Sequence, residues 1–147
     1  MLTETMLRDV VESVLLPFLG EGLAIAPTDA VVSDRFVRVS IVGDHEAELA
    51  ICCGERFARR LAAVMFDSDP AELADDDVGD ALGELTNMTG GAVKSYFPGV
   101  CTLGIPDRRP GEEGRKGNQP VLGSVVLDHA GDLLRVEVYG EQPALTV

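Results

Sequence analysis

The stretch Phe36-Val37-Arg38-Val39-Ser40-Ile41-Val42-Gly43-Asp44-His45-Glu46-Ala47-Glu48-Leu49-Ala50-Ile51-Cys52-Cys53 decides the fold. From 36 to 41 the faces alternate, with Val37, Val39 and Ile41 on one side and Phe36, Arg38 and Ser40 on the other, the period-two pattern of a strand with one buried face. Gly43-Asp44 is a turn signal. Residues 48–53 read as a second strand, so the two are expected to pair as an antiparallel hairpin. Val31 and Val32 either extend the first strand or form one of their own. Cys52 and Cys53, adjacent in a strand, point to opposite faces and read as small buried residues.

Outward from the hairpin the period changes. Upstream, residues 3–19 repeat Met6, Leu7, Val10, Val11, Val14, Leu15 and Phe18 at helical spacing, with Thr3 or Thr5 as cap, Pro17 breaking or tightening the last turn, and Gly20 and Gly22 ending it. Downstream, residues 55–66 form a second amphipathic helix, with Phe57, Leu61, Val64 and Met65 against Arg56, Arg59 and Arg60. Asp69-Pro70 offers a cap followed by a proline at a first helical position. A long helix spans about 76–97 and ends at Pro98-Gly99. Then come a strand over 100–105, a polar loop over 106–120 with no apolar residue between its prolines, and two strands, 121–127 and 133–139, expected to pair as a half-buried hairpin. The 133–139 strand is the candidate sheet edge. Strands adjacent in sequence favour an α+β fold, a mostly antiparallel sheet of five to six strands with three helices packed on one face, in a single domain over 1–147.

Composition bounds the function. The 147 residues are 46% apolar and 25% charged, ordinary for a folded domain of this size. The formal charge of −13 argues against nucleic acid and against an anionic membrane surface, because both recruit Lys and Arg. Three cysteines with no Cys-x-x-Cys and only two histidines, His45 and His129, argue against a disulfide framework and against a zinc or other metal site. Both histidines lie beside turns and are expected to face solvent. No signal peptide is visible at the start and no apolar run nears the roughly 18 residues of a membrane span, so the expected location is the cytoplasm.

The long helix carries the chemistry. At about 100° per residue, Val78, Leu82, Leu85, Thr89, Ala92, Val93 and Tyr96 share one arc, and Asp77, Asp80, Glu84, Asn87, Gly91 and Ser95 the opposite one, with Lys94 at its edge. Glu84 and Asn87, three apart, are neighbours on a solvent-facing ridge. Gly90 and Gly91 cost the helix roughly 1 kcal/mol each relative to alanine, so something approaches the backbone there, another helix or a partner's loop. With two Asn and twelve Glu in the chain, a chance pair at this spacing arises roughly once in six such sequences. Periodicity alone therefore leaves an ordinary polar helix face as the leading reading.

The surrounding residues reverse that order. Asp80-Ala81-Leu82-Gly83-Glu84-Leu85-Thr86-Asn87-Met88-Thr89-Gly90-Gly91-Ala92-Val93-Lys94-Ser95 resembles the signature helix of the CheX/CheC family of chemotaxis phosphatases: an acid, small and apolar residues, Glu-x-x-Asn-Met, a glycine, and a small-Lys-Ser tail. The order of elements is also similar to that family. CheC-type members carry two Glu-x-x-Asn motifs. Here Asn118 follows Arg115 at that spacing, so the likeness is to the single-site CheX type. It implies hydrolysis of the aspartyl phosphate of a CheY-like response regulator, with Asn87 orienting the attacking water and Glu84 pairing with a partner lysine. Asp80, Gly90, Gly91 and Lys94 would line the docking surface, with Thr86 small enough to help two surfaces approach. The resemblance places Mg²⁺ and the phosphorylated carboxylate on the partner, with no cofactor bound by this chain. It also implies a homodimer through a continuous sheet if the edge strands are free. Gly91 stands where many members carry a larger polar residue. A non-catalytic receiver-binding adaptor and a dimerisation module of the same fold remain as alternatives. Asp75-Asp76-Asp77 reads as acids complementing the helix dipole, and Arg56, Arg59 and Arg60 as a solvated face.

Overall fold

The structure, a computed structural model, describes residues 2–30, 32, 34–108 and 119–141. In chain order it has α1 (Glu4–Leu19), β1 (Leu23–Ile25), β2 (Arg35–Gly43), β3 (Ala47–Cys53), α2 (Glu55–Phe66), a 3₁₀ turn (Pro70–Glu72), α3 (Asp75–Lys94), β4 (Cys101–Leu103), β5 (Val121–His129) and β6 (Asp132–Gly140). The six strands form one sheet in the order β1-β5-β6-β3-β2-β4, every neighbour antiparallel. The fold is α+β, as the hairpin patterns require.

Register explains the core. Val37, Ile51, Val136 and Val125 lie opposite one another across four strands. All four are buried, and with Val39, Leu49 and Val138 they form the apolar face on which the helices rest. Leu7, Val11 and Leu15 of α1, Phe57 and Leu61 of α2, and Val78, Leu82 and Leu85 of α3 complete that core. Each such side chain removed from water contributes about 1.5–3 kcal/mol. α1 starts where Thr3 accepts the Met6 N–H at 3.1 Å. It runs on through Pro17 to Leu19 and ends at Gly20, φ +67°. Asp69 accepts the Ala71 N–H at 2.9 Å and starts the 3₁₀ turn at Pro70.

The structure departs from the sequence reading in four places. The extra strand of the first β section is Leu23–Ile25. Val32 lies outside any strand, and Val31 is not among the described residues. The 133–139 strand is central, between β5 and β3, so it is no edge; the outer strands are β1 and β4. Its alternating polar residues misled because the second face of the sheet is also covered. Arg135 reaches back to the carbonyls of Thr28 (2.8 Å) and Ala30, and Cys52 Sγ to that of Val32 (2.9 Å), as the β1–β2 connection passes over that face. α3 ends at Lys94 rather than at 97, because the Tyr96 and Phe97 N–H groups bond three residues back, to Val93 and Lys94, and Pro98 disfavours helix before it. The histidines are half-buried: His45 stacks on Phe97, with ring centroids 4.9 Å apart, and His129 Nδ1 lies 2.9 Å from Arg60 Nη2. Of the 106–120 loop, residues 109–118 lie outside the described residues, as do Arg115 and Asn118.

Candidate functional site

α3 is a rigid platform. Its first turn holds Asp75, Asp76 and Asp77, and Asp77 accepts the Ala74 N–H at 3.1 Å, so these acids serve the helix terminus. Its inward face satisfies itself. Thr86 and Thr89 are fully buried and donate to the carbonyls of Leu82 and Leu85 at 2.7 and 2.8 Å, so neither hydroxyl is left open. Thr86 therefore lies in the interior and cannot help two surfaces approach.

The outward ridge differs. Asp80 and Glu84 are exposed, Asn87 and Gly91 half-buried. Among the described residues, neither Glu84 nor Asn87 has a hydrogen-bond or ion-pair partner. One carboxylate and one amide, one helical turn apart on a fixed backbone, can grip a cation and hold a water by both donating and accepting. Lys94 sits half-buried in the last turn. Among the described residues, no group of three or more His, Cys, Asp or Glu forms that could hold a metal ion.

β4 and its continuation run alongside this ridge. Gly104 donates to Ser40 O at 2.9 Å, and Arg38 and Asp107 exchange backbone hydrogen bonds at 2.9 and 2.7 Å. The segment meets α3 at glycines. A Cβ on Gly90 would stand 3.1 Å from Val39 Cγ1 and 3.3 Å from Leu103 Cδ2, one on Gly83 would touch Pro106, and one on Gly79 would collide with the Arg108 guanidinium. Gly90 is thus buried against the sheet, which corrects its reading as a docking residue: the close approach there comes from inside the molecule. Gly91 has open space around it. Asp80 is engaged by Arg108 at 3.2 Å, so a partner meeting this position meets an ion pair. Sequence reasoning missed Arg108. It lies 28 positions from Asp80, and its only signal was the length of the polar loop it begins.

Other polar clusters are paired among themselves. Arg35 grips Glu55 through two bonds, 2.7 and 3.0 Å, and also binds Asp75. Arg59 holds Glu55 at 3.1 Å and the Leu73 carbonyl at 3.2 Å. The Arg35 hydrogen bond, opposed by burial and aided by the Arg35 and Arg59 charges, keeps the Glu55 carboxyl below its usual range. The Arg35 guanidinium is in turn held more firmly protonated by Glu55, with Asp75 adding to this. Arg60 binds Asp132 and the His129 carbonyl, and Arg56 reaches Asp132 at 3.4 Å, so the arginine stripe of α2 is an ion-pair lattice and not a merely solvated face. A cleft of about 550 Å³ at the start of α3 is walled by Arg35, Glu55, Asp75, Gly79, Leu82 and Arg108. Cys53 is buried beside it, and burial pushes its thiol well up, which rules it out as a ready nucleophile.

The family model described as chemotaxis phosphatase CheX matches residues 36–122, which contain the whole of α3. No curated protein matches the sequence. Among solved structures, the chain is similar to chemotaxis protein CheX from Vibrio vulnificus, at 17% identity and TM-score 0.72 over 92% of this chain and 93% of that one. It is similar to the same degree, 17% identity and TM-score 0.72, to CheX in a CheX–CheY–BeF₃–Mg²⁺ complex from Borrelia burgdorferi, over 93% of this chain and 97% of that one. The FliM middle domain from H. pylori is more distant, at 6% identity and TM-score 0.54 over 93% of this chain and 86% of that one.

Proposed function

The chain belongs to the chemotaxis phosphatase CheX family, and from that premise we propose that it accelerates hydrolysis of the aspartyl phosphate on a CheY-like response regulator. The observation that carries this reading is the pair Glu84 and Asn87, one turn apart on the outward ridge of α3 and without a partner among the described residues. Aspartyl phosphate hydrolysis needs an in-line water and well-placed charge more than it needs a protein nucleophile. The Asn87 amide accepts from and donates to that water, fixing it toward phosphorus. Glu84 pairs with a lysine beside the partner's phosphorylated carboxylate and sets the docking angle. The phosphorylated partner would hold the Mg²⁺, which would neutralise charge on the phosphoryl oxygens; the make-up of the Borrelia complex, CheX with CheY, BeF₃ and Mg²⁺, accords with this division of labour. Asp80 with Arg108, Gly91 and Lys94 border the docking surface.

The same reading takes residues 1–147 as one domain, since one core includes residues from Leu2 to Val138. It places the protein in the cytoplasm with its partner, in accord with described helices of which none is long and apolar enough to cross a membrane. It allows a homodimer through the outer edge of β1 or β4.

The test is phosphate release from receiver domains of the same genome, each charged with a small phosphodonor. Acceleration that is abolished in Asn87→Ala supports the proposal. Binding without acceleration points to the adaptor, and neither binding nor acceleration with any receiver removes the proposal.

A further inference from the structure

The residue between the two ridge-side contacts of the β4 strap is Ile105, and 91% of it is exposed, the largest exposure among the described large apolar side chains. Leu103, two before it, meets Gly90; Pro106, one after it, meets Gly83. These two glycines lie three residues after and four residues before Asn87, one helical turn to either side of it. The chain carrying Ile105 therefore passes Asn87 as it crosses α3. It is also held on both sides, by the Gly104–Ser40 and Arg38–Asp107 backbone hydrogen bonds and by Arg108 on Asp80. An apolar side chain presented on anchored backbone is preorganised for contact, which lowers the entropy lost on binding.

We propose that Ile105 is an apolar docking anchor for the phosphorylated receiver, placed beside Asn87 by the strap over residues 103–108. The inference rests on the proposed function. The place of the strap, against Gly90 and Gly83 on either side of the water-holding Asn87, favours this occupant, and charge favours this kind of contact. The ridge bears Asp80 and Glu84 on a chain of net charge −13, and a receiver carrying an acyl phosphate brings further negative charge, so long-range electrostatics oppose the encounter. Attraction that salt does not screen must then come from apolar contact at the centre of the interface. Arg108, neutralising Asp80 beside that contact, reduces the repulsion and latches the strap onto α3.

The test titrates the full chain against a receiver on which the wild type acts, held in its phosphorylated form by beryllium fluoride, at low and high salt. All proteins are compared at a concentration where they share one oligomeric state. Ile105→Asp is expected to weaken the Kd about tenfold and Ile105→Ala several-fold. The Ile105→Ala loss should be equal at both salt concentrations, whereas the loss in Glu84→Gln should shrink as salt rises. The phosphate-release rate at saturation should persist in Ile105→Ala, so that the defect lies in the concentration needed. An unchanged Kd in both Ile105 variants overturns the inference, including the case where the side chain serves only a second copy and the variants alter oligomeric state. A wild type that binds no receiver overturns the proposed function itself, and the two failures are distinguished by that control.

Discussion

Two polar regions of this molecule share helix α3 and have opposite uses. At the start of α2 and α3, Arg35, Arg59, Glu55 and Asp75 are bound to one another. On the middle of α3, Glu84 and Asn87 bind nothing among the described residues. The first region fixes how β2, α2 and α3 meet. The second holds its hydrogen-bonding capacity in reserve on the same helix. Charge density does not separate structural from functional polar residues here; what separates them is whether the fold itself uses their donors and acceptors.

The sharpest break of that contrast is Asn87→Ala. It should lower the maximal phosphate-release rate about a hundredfold or more, since misplacing a reacting water costs that much, and leave thermal stability within about 0.5 kcal/mol. Arg35→Met should do the reverse. Leaving Asp75 without its cation and Glu55 with Arg59 alone costs about 1–2 kcal/mol, discounted for the exposure of both carboxylates, and lowers the Tm by several degrees with the saturated rate kept. Glu84→Gln should weaken receiver binding about five- to tenfold, an effect that fades with salt, as titration at two ionic strengths would reveal. Gly91→Ala, in open space, should stabilise the helix by about 0.5–1 kcal/mol in a denaturant melt. The smallest effect is in acid. The Glu55 carboxyl is held below its usual value by Arg35, so its contribution is full above about pH 4.3 and is lost as pH falls through the depressed value. Glu55→Gln should therefore flatten the stability profile below about pH 4 and leave its shape above that unchanged.

Much of this was legible in the sequence because period and punctuation are local. The alternation at 36–41, the turn at Gly43-Asp44 and the two-arc pattern of α3 each depend on residues within a few positions, and each element stands where it was expected, save that α3 ends three residues early. Strand order is not local. The alternation of Leu134, Val136 and Val138 with Arg135 and Glu137 reads as a sheet edge because nothing near it says that Thr28 and Ala30 cross over Arg135. The same limit hid the site's second wall. Gly90 announced a close approach, but only the tertiary fold shows that Leu103 and Val39 make it, and only the fold sets Arg108 on Asp80 and Pro106 against Gly83. Three-residue β1 and β4 were faint for a further reason: their pairing is sustained by β5 and β2, and their own composition contributes little to it.

The central claim is that the ridge on α3 is kept unpaired in order to act on a partner. Decay of a receiver's acyl phosphate, followed with saturating wild type and with saturating Asn87→Ala of equal Tm and equal receiver affinity, tests it most directly. The account predicts acceleration by the wild type and a return to the receiver's own decay rate in the variant. Full acceleration in Asn87→Ala would contradict it.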